Sequence, residues 1–409
     1  MMQQTATGGA IESVTDRQRM VLLPTAIAGH ALKHMFNAAF FVILPDLKVD
    51  LGLSNTQVGA LSTVRNIAGG LSNLPAGYTA DRFSARRAQI LGFAMAMVGV
   101  FAMSLGFASN YGMALASAAL LSVAITFWHP AAISTLSRVF ASRRGFAIAM
   151  HGTGGSIGEA VGPVLVGLLL GLVTWRMVLQ ASVVPGVGCG LLVWLLLRPI
   201  PSGEGLAPSF LAYLRSMGKL LTTRRLLLIM LFAGGFAGGQ SAVLTFLPVY
   251  LREDVGVSTW TLGLYLALAN VGGIVSQPVM GYLSDRFGRK IVLVPSLTGL
   301  GVATLGLYLT PPGFLFALMV LLMGVFLFPL MSILLAAAMD LVEGAVQATT
   351  ISLVFGSAVV FSGFTPAIAG VVADLYSVKA VFLLACGIIL ATALLALATS
   401  WQGARAKPA

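Results

Sequence analysis

A chain of 409 residues that is 58% hydrophobic and 9% charged, with a mean hydropathy of +0.95, is too apolar to be a water-soluble domain, in which charged residues make up about a quarter. A formal charge of +11 would suit a nucleic-acid binder, but the positions of the charges remove that reading and leave a lipid bilayer as the partner.

Residues 1–20 are polar and read as a short cytoplasmic tail. Twelve continuous apolar runs follow, at 21–44, 56–78, 88–108, 111–136, 145–172, 177–197, 226–250, 260–282, 290–310, 313–336, 347–373 and 377–400. Continuous rather than alternating apolar sequence selects helices over a β-barrel, because a span in lipid must satisfy its own backbone. The fold expected is therefore an all-α membrane protein with twelve transmembrane helices. Eighteen Lys and Arg residues fall at one membrane face and four at the other, which predicts an inner-membrane protein with both termini in the cytoplasm.

Within the first run, His30, Lys33, His34 and Asn37 recur at i, i+3, i+4 and i+7 and so share one helical face. Lys33 lies near mid-depth, as does Arg65 in the second run, and a charge there is costly unless it faces a cavity or a partner. These five residues are the candidate substrate site. Pro45 is expected to close the first helix, and Pro248 the seventh.

The fourth run carries Trp128-His129-Pro130, and His129 reads equally well as a hydrogen-bonded core residue. The fifth holds Gly154, Gly158, Gly162 and Pro163, a stripe of glycines for close helix packing followed by a residue that permits a bend. Glu159 lies inside that stripe. It is the one Asp or Glu deep within any predicted span, so it is the candidate proton carrier, with His151 two turns earlier on its face. Its competing role is a fixed ion pair with Lys33 or Arg65, which would leave one cation uncompensated.

Residues 199–225 break the apolar pattern with Pro, Gly and Ser and a short basic amphipathic stretch, and read as a cytoplasmic linker between 21–198 and 226–400, with 401–409 as a second tail. The two halves are copies. A shift of 204 residues lays Ser54, Gly59, Asn66, Gly69, Ser72, Gly77, Tyr78, Asp81, Arg82 and Phe83 over Ser258, Gly263, Asn270, Gly273, Ser276, Gly281, Tyr282, Asp285, Arg286 and Phe287. The polar site is not copied: at the shift of 203 that lays Pro45 over Pro248 in the first helix, Lys33, His30 and His34 fall over Phe236, Ala233 and Ala237, and at 204 Arg65 falls over Ala269.

The duplicated turn, Gly77 to Gln89 and Gly281 to Ile291, resembles the loop signature G-x-x-x-D-R-x-x-R-[RK] of major facilitator superfamily transporters. That resemblance implies two pseudo-symmetric six-helix bundles in the major facilitator fold, rocking around a central site. It also implies a conformational latch at Gly77, Asp81, Arg82, Arg86, Gly281, Asp285 and Arg286, where the residues alone would equally read as a solvated turn that helps set topology. Asp340 and Glu343, in a cytoplasmic loop without Lys or Arg, are candidate partners for its arginines. The fifth-helix Gly-Pro run resembles that of superfamily antiporters. Gly29-His30-Ala31-Leu32 and Trp128-His129-Pro130-Ala131-Ala132 are similar to segments of fosmidomycin-resistance-type exporters. What these imply is proton-coupled efflux of a small organic, anionic compound, with uptake of an organic or inorganic anion by symport or exchange as the alternative. A single copy of the chain is the expected working unit. No nucleophile-base pair, P-loop or metal-ligand spacing occurs, so neither an enzyme nor a metal or other cofactor is expected. Cys189 and Cys386 lie inside predicted helices as small packing residues.

Overall fold

The computed structural model describes residues 14–140, 143–200, 222–341 and 347–400. Among these there is no strand, and the helices form two six-helix bundles. The first bundle comprises α1 (Asp16–Leu51), α2 (Asn55–Arg82), α3 (Arg87–Gly106), α4 (Tyr111–Val139), α5 (Arg144–Leu170) and α6, interrupted at Ser182 between Trp175–Ala181 and Val183–Leu197. The second comprises α7 (Arg224–Val249), α8 (Thr259–Phe287), α9 (Arg289–Leu309), α10 (Phe314–Met339), α11 (Gln347–Leu375) and α12 (Ala380–Ala398). Eleven of these helices are long and apolar enough by composition to cross a bilayer, and α2 reaches 28 residues while carrying more polar side chains.

Local sequence sets the helix ends. Thr15 and Gln18 cap α1 reciprocally, and Ser54 and Gln57 do the same for α2, so first-turn N–H groups are not left orphaned. Ser258, the copy of Ser54, caps α8 by accepting from Thr261 N. Pro45 does not close α1: the helix runs through it to Leu51 and stops at Gly52, whose φ of 61° suits a residue without Cβ. One missing N–H inside a long packed helix is tolerated. Pro248 lies just inside the end of α7, which continues as a π-turn over Tyr250–Asp254. The expected linker falls largely outside the described residues, as do residues 1–13 of the first tail and all of 401–409, while α1 already begins at Asp16.

The halves meet through α2 against α11 and α5 against α8. A Cβ on Gly59 would fall 2.1 Å from Pro366 O, and one on its copy Gly263 would fall 2.4 Å from Pro163 O. Contact is concentrated toward the face that carries the α1–α2 and α7–α8 loops, opposite the chain ends. There Lys48 Nζ meets Glu253 Oε2 at 2.5 Å, Arg252 meets Asp46 at 3.2 Å, and Asp374 accepts from Asn55 N, Thr56 N and Thr56 Oγ1. Toward the chain ends, Gly77, Gly152, Gly281 and Gly356 have nothing within 4 Å of an added Cβ. Among the described residues, the ion pairs between the halves gather at the distal face, and these four glycines toward the chain ends stand in open space.

Candidate functional site

The glycine stripe of α5 creates the site by bringing two backbones almost into contact. A Cβ at Gly154 would lie 2.4 Å from Ile27 O, at Gly158 2.1 Å from Ala31 O, and at Gly162 3.0 Å from Met35 Cα. Those α1 residues are four apart, so the two helices run side by side over two turns. With no side chains between the axes, polar groups flanking the seam on α1 and α5 reach one another directly. From α4, Trp128 is buried against Gly29, which sets the next residue, His129, beside Lys33.

His30 Nδ1 donates to the His151 carbonyl at 2.7 Å, because a carbonyl oxygen can only accept. His30 Nε2 then meets His34 Nε2 at 3.1 Å, and His34 Nδ1 meets Glu159 Oε1 at 2.7 Å. Two neutral imidazoles and a carboxylate cannot fill this chain of contacts, since one hydrogen is lacking. Wherever it resides, the His30–His34–Glu159 triad holds one proton beyond that count. His34 and Glu159 keep 18% and 29% of their side chains accessible, so the proton's end of the chain is not sealed.

Lys33, in the middle of the 36-residue α1, is buried and donates from Nζ to His129 Nε2 at 2.5 Å. Arg65 is buried too. Its Nη2 donates to Asn37 Oδ1, its guanidinium lies 4.5 Å and 5.1 Å from the ring centroids of Phe40 and Phe41, and its Nε has no partner. Glu159 is thus spent on His34 rather than on Lys33 or Arg65. Among the described residues neither cation forms an ion pair with a carboxylate, so two positive charges stand where the sequence suggested one. The structure therefore brings His30, Lys33, His34 and Asn37 together with Arg65.

His151 reaches Glu159 only through this relay. Its ring stacks on His30 at 3.9 Å, its Nδ1 donates to Ala26 O at 3.2 Å, and its Nε2 is buried without a partner. Ring nitrogens of His30, His129 and His151 come within 4.8 Å of one another. Ligand nitrogens on zinc bonds of about 2.1 Å sit roughly 3.4 Å apart, and the lone pair of His129 is already occupied by Lys33. The cluster's nitrogens are therefore placed for hydrogen bonding rather than for a zinc ion.

The sequence profile of the Major Facilitator Superfamily matches residues 26–276 and 237–408, nearly the whole chain. The chain belongs to the Major Facilitator Superfamily. It is 24% identical over 384 residues to the fosmidomycin resistance protein of Escherichia coli (strain K12), covering 93% of each chain, and 26% identical over 369 residues to a probable nitrate/nitrite antiporter, NarK1, of Thermus thermophilus, covering 81% and 77%. In fold it is similar to a bacterial homologue of the human lysosomal transporter Spinster in an inward-facing, unoccupied conformation, with TM-score 0.77, 16% identity and 94% and 96% coverage. This superfamily member is a multi-pass membrane transporter of small molecules and not an enzyme.

The duplicated turn of the superfamily lies far from this cluster. In the second half, Arg289 bonds Asp285 and Asp340, the latter at 2.9 Å, which ties α8 and α9 to α10 within one bundle. Asp340 is thereby partnered by Arg289, whereas Arg286 reaches Tyr282 Oη at 3.3 Å and lies over Phe287. Arg82 lies over Phe83, and Arg86 ends the short helical turn after α2. The Asp81 side chain and Glu343 fall outside the described residues.

Proposed function

We propose that this transporter moves a small organic anion together with a proton, by alternating access, across an inner membrane in which both chain ends face the cytoplasm. The observation that carries the reading is the His30–His34–Glu159 triad, holding one surplus proton beside two cations, Lys33 and Arg65, that lack a carboxylate partner. With the proton present the triad is neutral and the site has room for an anion's charge. When the proton leaves, the Glu159 carboxylate competes for the same cations. Proton and anion therefore strengthen each other's binding, and linkage makes that reciprocal. The excess of basic residues at the face of the termini supports the orientation. With that orientation, the face where Gly77, Gly152, Gly281 and Gly356 stand in open space is the cytoplasmic one.

A second reading, efflux in exchange for protons, is favoured by the resistance function in the Escherichia coli relative's name and by the Gly-Pro run of α5. The sign of the proton linkage separates the two. Fosmidomycin and nitrate serve as first probes, with further anions chosen by thermal stabilisation of the purified protein. Titration calorimetry in buffers of different ionisation enthalpy measures the protons exchanged on binding. Uptake of a proton by the complex supports cotransport, and release supports exchange. In proteoliposomes, Glu159→Gln is expected to abolish pH-driven accumulation while retaining exchange without a pH gradient. Accumulation by that variant in response to pH would exclude Glu159 as the carrier, and failure to fold or bind would make it a structural partner.

A further inference from the structure

Two prolines, one in each half, leave a helix carbonyl without its own partner. Pro163 has no N–H for Glu159 O, four residues earlier in α5, and Pro366 has none for Ser362 O in α11. In lipid such a carbonyl needs another donor. For each, the donor comes from the opposite bundle: Asn270 Nδ2 on α8 donates to Glu159 O at 3.0 Å, and Asn66 Nδ2 on α2 donates to Ser362 O at 2.9 Å. Asn66 and Asn270 are the same residue of the internal repeat. Each amide spends its second hydrogen nearby, Asn66 on Ser241 Oγ and Asn270 on Leu266 O. Seven residues before each, on the same face, Gly59 and Gly263 lie against the carbonyl of the same proline.

We propose that these two bonds are the pivots of the molecule: Asn66 and Asn270 supply, across the junction of the halves, the N–H groups that Pro366 and Pro163 withhold. Both asparagines stand about 16 Å along their helices from the distal face at 1.5 Å per residue, close to mid-depth. On the distal side of the bonds the halves touch. On the terminal side, among the described residues, contact across this junction continues one turn on, at Gly70 against Val359, and an added Cβ at Gly77 or Gly356 beyond it would meet nothing within 4 Å. A contact near the rocking axis moves least when the bundles tilt, so a bond placed there persists while the two ends open and close in turn. The inference rests on the alternating-access reading, but its test uses neither substrate nor proton, so the two can fail separately.

The test is a rescue matrix read by thermal melting of the full-length protein. Asn270→Ala should lower the melting temperature, and Pro163→Ala, which returns an N–H to Glu159 O within α5, should restore at least half of that fall. Pro366→Ala should do the same for Asn66→Ala, and the crossed combinations should restore nothing. If a single alanine variant does not accumulate in the membrane, recovery of folded protein by its own proline partner is the same readout. Simple addition of the asparagine and proline costs, or rescue by either proline alike, overturns the pairing. A cysteine at Gly356→Cys, in a Cys189→Ala and Cys386→Ala background, then reports opening of the terminal face by its rate of labelling with an impermeant maleimide. A pivot leaves that rate unchanged on loss of Asn66 or Asn270. A change of severalfold would make the bonds latches for one state and overturn the proposal.

Discussion

Gly152 and Gly158 lie six residues apart on α5, and the same change at each is expected to act in opposite directions. At Gly152 an added Cβ meets nothing within 4 Å, so Gly152→Ala should return only helix propensity, a stabilisation of about 0.5–1 kcal/mol. At Gly158 it would lie 2.1 Å from Ala31 O and 2.9 Å from His34 Cβ. An ordinary contact needs more than 3 Å, so α1 and α5 must part by about 1 Å, an overpacking cost of about 1–3 kcal/mol. The same displacement stretches the His34–Glu159 contact from 2.7 Å beyond hydrogen-bonding range. A bond to a charged group is worth about 1.5–3 kcal/mol, so after the propensity gain Gly158→Ala should destabilise by roughly 1.5–5 kcal/mol. Melting curves of the two purified variants, run beside the parent in one detergent, measure the difference. Equal shifts, or a Gly158→Ala protein as stable as its parent, would refute the view that the glycine stripe assembles the proton triad.

Lys33→Ala and Arg65→Ala should each weaken binding of an anionic probe by roughly tenfold to a hundredfold, the worth of one charge-assisted bond, while Phe236→Leu at the matching position should not; unchanged affinity in both charge variants would remove them from the site. Asp374→Asn weakens the acceptor that receives Asn55 N, Thr56 N and Thr56 Oγ1 across the distal closure. It should shift the balance toward the oppositely open state by about 1–3 kcal/mol, read as severalfold slower maleimide labelling of Gly77→Cys. Asp81→Asn and Asp285→Asn should insert at parental levels yet transport the probe poorly, and normal initial rates in proteoliposomes would argue against a latch at the duplicated turn.

The frame was legible because it is repeated. Ser54 and Ser258 recur since each caps the helix that follows, and Gly59 and Gly263 recur since each admits a proline carbonyl from the other half. The polar residues of α1 were legible from their common face and depth. Their pairing was not, because spacing along one helix says nothing of what a second helix presents. Glu159 was expected opposite Lys33 or Arg65, but the close approach at Gly158 puts α1's His34 nearest to it, and His129 takes Lys33. The position of His129 was visible as the residue after a buried aromatic, yet only the fit of Trp128 over Gly29 turns it toward α1. Asn66 and Asn270 stood in the repeat from the start. Their role needed the structure, since a carbonyl freed by proline has no mark of its own in sequence.

The repeat is kept at the junction and not at the site, and the two requirements of the proposed function account for the difference. Rocking about a shared axis needs matching contacts on α2 and α8 and on α5 and α11, so Gly59, Asn66, Gly263 and Asn270 remain in register. Coupling a proton to an anion needs the opposite arrangement, a single cluster. Two unit charges at an effective dielectric of 20 interact by about 4 kcal/mol at 4 Å and by about 1.4 kcal/mol at 12 Å, barely a tenfold effect on affinity. Proton and anion groups divided between the halves would be linked too weakly to drive transport. On α1, α4 and α5, His30, Lys33, His34, His129 and Glu159 are gathered into one cluster, with Lys33 next to His34 in the chain and so close to the triad's proton, while Arg65 of α2 joins it through Asn37. The matching residues in the second half, Ala233, Phe236, Ala237 and Ala269, are buried apolar core, which leaves that half to act on the substrate through shape and through the pivots it shares with the first.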